Sequence, residues 1–466
     1  MVEKTKKNSR KINKKGSDKG IKKGLNKGIK KGSDKEIKKG SDKGIKKGLN
    51  KEIKQTNKIM RNLSRADIIT NPSLMPKYLQ DVITMPIIEK SIFDYTFDIK
   101  FSEYADYPKS SVGFQHFIHA MKNDAIKELQ IFENKKKVYE VLNPFELSID
   151  NYNESILDKG KKYFENKELS TDFYKLWEML FMFDMINLES NFTSAHLGDD
   201  SDSNPFLEST KSYRNLFGNK NLIKNDKHYK IDNINEDVDF ITVNYNINDI
   251  NNFINTNEQD FYKDIIDYIL IIIKNQKKDG TFVLKLTELY TSISIKLITI
   301  ISSLYNRVYL CKPLTSRPSS SEKFIVAQGF KYSKSDSKLK DIITIMEKMQ
   351  NKIKENKKLH ISDIFSSYDI DPEMKVRMIQ FNDLLENKQF KAIGQILTFI
   401  ASQNFYGDLY QKSREEQILA SKFWTDLFLM SASEYKQNKA KINDMSYLSN
   451  KINLEESLEL KKKLII

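Results

Sequence analysis

Lys285 is the first residue of this chain with clear chemical potential. It lies inside the apolar run Gly280-Thr281-Phe282-Val283-Leu284-Lys285-Leu286. Lysine is mostly a surface residue, so an ammonium group in such a strand needs a partner or a task. About 25 residues later comes Lys312-Pro313-Leu314-Thr315-Ser316-Arg317-Pro318-Ser319-Ser320-Ser321-Glu322-Lys323-Phe324. This is a basic, serine-rich loop ending in Glu322, which opens a second strand. A lysine supported by a glutamate can handle the proton of a weakly acidic hydroxyl, and general acid–base help is worth roughly 10²- to 10⁴-fold in rate.

The surrounding pattern alternates helix and strand. An amphipathic helix over 172–188 contains Tyr174-Lys175-Leu176-Trp177-Glu178. Strands are predicted over 192–197, 238–243, 280–286, 307–311 and 323–329, with helices over 206–217, 261–276 and 291–305. That alternation implies an α/β domain with a mainly parallel sheet. The last two strands have no helix between them, which implies a final antiparallel hairpin.

The strand with Lys285 and the loop to Glu322 together resemble the C-terminal half of the FtsJ-like RNA ribose 2′-O-methyltransferases, especially their mRNA-cap branch. The resemblance implies a Rossmann-like sheet that uses S-adenosyl-L-methionine as cofactor and RNA, a capped mRNA 5′ end above all, as partner. It also implies a Lys-Asp-Lys-Glu tetrad. Lys175 takes the place of the first lysine, Lys285 of the second, which engages the 2′-OH, and Glu322 of the glutamate. Lys312, Ser316 and Arg317 fall in the loop that would face RNA. The segment Gln417-Ile418-Leu419-Ala420-Ser421-Lys422-Phe423-Trp424 is similar to the terminal helix of viral cap-branch relatives. The likeness therefore extends over roughly residues 110–430.

Two positions depart from the family pattern. The tetrad aspartate corresponds to Asn244, after Val238-Asp239-Phe240-Ile241-Thr242-Val243; the amide keeps the shape and loses the charge. The cofactor turn corresponds to residues 196–208, where Gly198, Asp199, Asp200 and Phe206 are the expected cofactor-side residues. The paired glycines that would let backbone approach the cofactor closely are missing there. Only about 40 residues separate this turn from Asn244, so that half of the pocket is expected to be short. Two functions follow as alternatives: a SAM-dependent RNA 2′-O-methyltransferase, or a methyltransferase-derived RNA-binding or scaffold protein without turnover.

Residues 1–58 carry 22 lysines and arginines against 6 acids, whereas the whole chain has a net charge of +14. The basic character therefore belongs to the tail, and the remainder is slightly acidic. Residues 16–54 are a tetrapeptide array in which 16–27 recur at 40–51, with eight of the chain's 16 glycines. Such a composition is read as disordered, with either a solubilising role or non-specific nucleic-acid affinity. Residues 59–165 read as a mostly helical N-terminal region, 166–335 as the methyltransferase domain, and 336–466 as a helical C-terminal extension.

Other signals are excluded as sites. His116 and His119 lack a carboxylate at ligand spacing and are read as packing residues. Asp199, Asp200 and Asp202 fit no calcium-loop template, so no metal is expected. Cys311 stands alone, which rules out a disulfide framework and fits a reducing compartment. No apolar run reaches the ~20 residues of a spanning helix. Together these readings place the protein inside the cell, in the cytoplasm, without membrane attachment. Heavy use of Lys, Asn and Ile suggests an AT-rich genome such as that of a large DNA virus, where a viral factory or virion would be the site.

Overall fold

The β-branched run Val238–Val243 forms an interior strand of the main sheet because it can be buried on both faces. The computed structural model describes residues 81–88, 90–105, 113, 115–123, 138–165, 167–197, 204–230, 234–245, 257–403 and 406–435. The tetrapeptide array and residues 198–203 lie outside the described residues. The strands are β1 (Val82–Thr84), β2 (Ile99–Ser102), β3 (Thr193–Leu197), β4 (Lys227–Lys230), β5 (Val238–Val243), β6 (Gln276–Leu286), β7 (Tyr305–Cys311), β8 (Lys323–Phe330) and β9 (His360–Ile364). The helices are α1 (Val138–Leu142), α2 (Ile156–Tyr163), α3 (Thr171–Phe183), α4 (Pro205–Phe217), α5 (Lys220–Ile223), α6 (Asn257–Asn275), α7 (Ser292–Leu304), α8 (Ser337–Glu355), α9 (Pro372–Ser402) and α10 (Asp408–Phe428).

Seven strands form one sheet in the order β1-β7-β8-β6-β5-β3-β4. Strands β4, β3, β5 and β6 run parallel, and β8 lies antiparallel between β6 and β7. The expected α/β sheet with its antiparallel final hairpin is present. The chain leaves β3 for β4 on one side and then returns to β5 on the other. Ligands in such sheets bind outside the carboxyl ends of the strands at this reversal, here the ends of β3 and β5. Among the described residues one strand, β4, fills the interval between β3 and β5.

Alternation along the strands decides which side chains face which helices. Phe282, Leu284, Leu286, Ile325 and Ala327 join the core that contains the isoleucines of α6 and α7. Helix α7 is buried all round from Ile293 to Leu304, and its one lysine, Lys296, donates to Asp363 Oδ1 at 2.8 Å. Lys285 and Phe324 belong to the opposite set, towards α3 and α4. There Trp177 packs against Phe173, Tyr213 and Phe217, and Trp424 packs on Tyr174. Before Gly280 the register of β5 and β6 shifts. A Cβ on Gly280 would lie 2.9 Å from the carbonyl of Asp239, so only glycine fits that close approach.

Three differences from the sequence reading have physical causes. Strands β1 and β2 fall in the N-terminal region, and β9 falls in the C-terminal extension, where β2 pairs with β9. These strands are too short to show a two-residue periodicity. Within the C-terminal extension the sequence pattern reads as separate helices over 372–385 and 390–403; the structure has one helix of 31 residues. The apolar stripe is interrupted at Glu386 and Gln389, which reads as a break, yet both are buried. Gln389 Nε2 donates to the Ser319 carbonyl at 3.0 Å. Burial pushes the Glu386 carboxyl up to about 7, with Lys323 pulling it down. No helix among the described residues is long and apolar enough to cross a membrane.

The continuity of α9 is testable at Asn387, which is exposed and mid-helix. Proline in a helix interior costs roughly 3 kcal/mol or more. Asn387→Pro should lower unfolding free energy in urea by that amount. A loss under about 1 kcal/mol would fit two helices with a linker and contradict a single one.

Candidate active site

The site starts at the N-terminal end of α3. Asp172, Lys175 and Glu178 recur every three residues, so their side chains share one helix face. That face meets the loop between β7 and β8. Lys175 Nζ reaches both oxygens of Glu322 at 2.8 Å and Asp172 Oδ1 at 2.7 Å. Lys285 Nζ enters from β6 and lies 2.9 Å from Glu322 Oε1 and 3.7 Å from Asp172 Oδ2. Asn244, just past β5, donates from Nδ2 to Asp172 Oδ2 at 3.0 Å. Lys175, Asn244, Lys285 and Glu322 are thus brought together from four separate segments of the chain.

All four are buried, with 6% to 8% of their surface exposed. Buried charges survive only when paired and hydrogen-bonded. Burial pushes the Glu322 carboxyl up, but the ammonium groups of Lys175 and Lys285 outweigh it and hold it well below the usual carboxylate range. Burial would likewise lower Lys175, and Glu322 and Asp172 instead raise it. Asp172 is lowered: burial works against this, and Lys175 and Lys285 prevail. The two carboxylates remain anionic at neutral pH and match two ammonium groups.

The residues expected to face RNA divide. Lys312 is buried and donates to the carbonyls of Ser320 and Glu322 at 2.8 and 2.7 Å. Ser316 is also buried, and its Oγ donates to Glu322 Oε2 at 2.7 Å. Both shape the loop around the carboxylate. Arg317 reaches the surface, where its Nε lies 3.2 Å from Glu146. Of the expected cofactor-side residues, Gly198, Asp199 and Asp200 lie outside the described residues. Phe206 is fully buried, with its ring 6.2 Å from that of Phe324, and it serves the core.

Two site residues escaped the sequence reading. Asp172 could have been found as an acid one turn before Lys175. Glu178 is buried and takes the N–H groups of Leu314 and Thr315, while the Trp424 indole donates to it at 3.1 Å. Burial raises the Glu178 carboxyl to about 7 against these donors. It ties α3, the loop and α10 together. His119, read as a packing residue, meets Glu288 at 2.8 Å, a carboxylate 169 positions away that no local spacing could reveal. Among the described residues no group of histidine, cysteine and acids could hold a metal ion.

Hydrogen-bonding capacity remains open at the carboxyl end of β5. Asn244 Oδ1 and Tyr245 Oη are buried without a hydrogen-bond partner among the described residues. Both lie at the edge where the strand order reverses, and they suit a polar ligand there.

Comparison with known proteins agrees with this geometry. Residues 173–330 match the family described as FtsJ-like methyltransferase. An uncharacterized protein of Acanthamoeba polyphaga mimivirus is 25% identical over 277 residues, covering 59% of this chain and 70% of that one. The cap-specific mRNA (nucleoside-2′-O-)-methyltransferase 1 of Homo sapiens is 26% identical over 132 residues, 28% of this chain and 16% of the relative. An inactive cap-specific mRNA (nucleoside-2′-O-)-methyltransferase 1B of Caenorhabditis briggsae is 24% identical over 161 residues, 34% of this chain and 18% of the relative. The match thus spans less than a fifth of each cap-methyltransferase relative.

Glu322→Gln should destabilise the fold by roughly 3–5 kcal/mol, because it removes the shared partner of two buried ammonium groups. The carboxyl lies below its ordinary value of 4.5, so its contribution is full above that pH and is lost as the pH falls towards the folded value. Urea unfolding of protein and variant should therefore differ most at pH 7 and converge below 4.5. A gap independent of pH would contradict an anionic Glu322.

Proposed function

From the match of residues 173–330 to the FtsJ-like methyltransferase family, we propose that this chain methylates a ribose 2′-hydroxyl of RNA, with a capped mRNA 5′ end as substrate. The observation that carries this reading is the buried convergence of Lys175, Lys285 and Glu322 beside the carboxyl ends of β5 and β6. The names of the cap-methyltransferase relatives support the choice of substrate.

FtsJ-like methyltransferases depend on S-adenosylmethionine, which when bound supplies an electrophilic methyl group on a sulfonium. Among the described residues, the open acceptor of Asn244 and the hydroxyl of Tyr245 are available at that edge. Lys285 holds the ribose oxygen by a hydrogen bond and stabilises the negative charge that develops as the oxygen attacks. The ribose oxygen would gain the methyl group, and the 2′ proton would pass to solvent water, since the Lys285 ammonium, paired with Glu322, is already protonated. Glu322, shared with Lys175, fixes the direction of the Lys285 ammonium. Arg317, at the surface of the same loop and paired with Glu146, would be the loop side chain to meet RNA phosphate.

Two observations favour a second reading, an RNA-binding or scaffold protein without turnover. Position 244 carries an uncharged amide, and one of the relatives is itself named inactive. Calorimetry with S-adenosylmethionine separates the two. The enzyme reading expects binding, and no heat at millimolar cofactor would leave the scaffold reading. Given binding, Lys285→Ala should lower methyl transfer to capped RNA at least ~10²-fold. An undiminished rate would remove Lys285 from the chemistry.

The polycationic tail is a proposed electrostatic arm for RNA. Deleting residues 1–58 should weaken RNA binding and flatten the dependence of affinity on salt. An unchanged salt slope would make the tail a bystander.

A further inference from the structure

Asp172 meets both lysines of the site and Asn244. Its Oδ1 accepts from Lys175 at 2.7 Å, and its Oδ2 accepts from Asn244 at 3.0 Å and lies 3.7 Å from Lys285. Its side chain is 24% exposed, against 7% for Lys285 and 8% for Glu322. It therefore forms the rim of the site, while Glu322 forms the floor. Without Asp172, two ammonium groups would share one carboxylate in a buried site.

The contact with Asn244 imposes a constraint. An amide nitrogen can donate across 3.0 Å, whereas a carboxylate there would face Asp172 with like charge. Two carboxylates at that separation cannot both ionise near neutral pH. Positions 172 and 244 can thus hold one negative charge between them, and this chain places it at 172.

We propose that Asp172 is a second positioning carboxylate of this site beside Glu322, and that the neutral Asn244 is its required partner, not a defect. Asp172 orients Lys175 and Lys285 from the helix side, and Asn244 holds Asp172 in place. This inference rests on the methyltransferase reading for its consequence in turnover, but its electrostatic part stands apart from it.

The experiment is a double-mutant cycle on the full chain with Asp172→Asn, Asn244→Asp and both together. Each single change should lower the melting temperature at pH 7 by roughly 2–4 °C or more. The double variant, which moves the charge from 172 to 244, should recover most of that loss. Asn244→Asp alone should also become less stable as pH rises through the titration of the new carboxyl pair, a dependence absent from the parent and the double variant. Methyl transfer, where present, should fall about 10-fold or more in each single variant and return in the double. If the parent shows no turnover, the proposed function fails while the stability cycle still decides the charge constraint. If Asp172→Asn does not fold, folding of the double variant supports the inference and its failure to fold overturns it. Additive losses, or gained turnover in Asn244→Asp alone, would also overturn it.

Discussion

The rest of the site depends on the shared carboxylate of Glu322. Two lysines from distant parts of the chain converge on it, one from α3 and one from β6. Neither ammonium could lie in so dry a place without it, and the carboxylate could not remain charged without them. The result is mutual: the charges set the distance between α3 and the sheet, and the packing of α3 keeps the charges from water. The loop from Lys312 to Glu322 is organised inward around the same group, which explains why Lys312 and Ser316 are spent on structure and do not reach outward.

A second buried carboxylate carries the same logic to the periphery. Glu178 grips the backbone of Leu314 and Thr315 and receives the indole of Trp424. The helix after the domain thereby becomes part of the support for the loop. Gln389 of α9 holds the Ser319 carbonyl from another side. The C-terminal helices are therefore braces for the site-bearing loop, and polar residues at inward positions are the sign of it. These same inward polar residues disguised α9 as two helices, because periodicity counts apolar positions and cannot distinguish a buried glutamine from an exposed one.

Much of the site was legible because the residues lie in segments whose local character is strong. Lys285 stands out against an apolar strand, and Glu322 marks a loop-to-strand boundary. Lys175 was placed by likeness alone, and the structure supplies its two carboxylate partners. Asp172 was overlooked because an acid in the first turn of a helix has an ordinary local explanation, its interaction with the helix dipole. Nothing local shows that Asn244, 72 residues on, lies against it.

The sequence by itself determined the alternation of strand and helix, the antiparallel ending of the sheet, and the residue types able to handle a proton. These follow from side-chain periodicity and local chemistry, which act over a few residues. Tertiary structure alone decided which charges share a space. Coulomb and desolvation energies depend on distance and burial, and neither is written in spacing along the chain. The neutral residue at 244 was legible as a missing charge; only the fold shows a carboxylate at 172 lying against it.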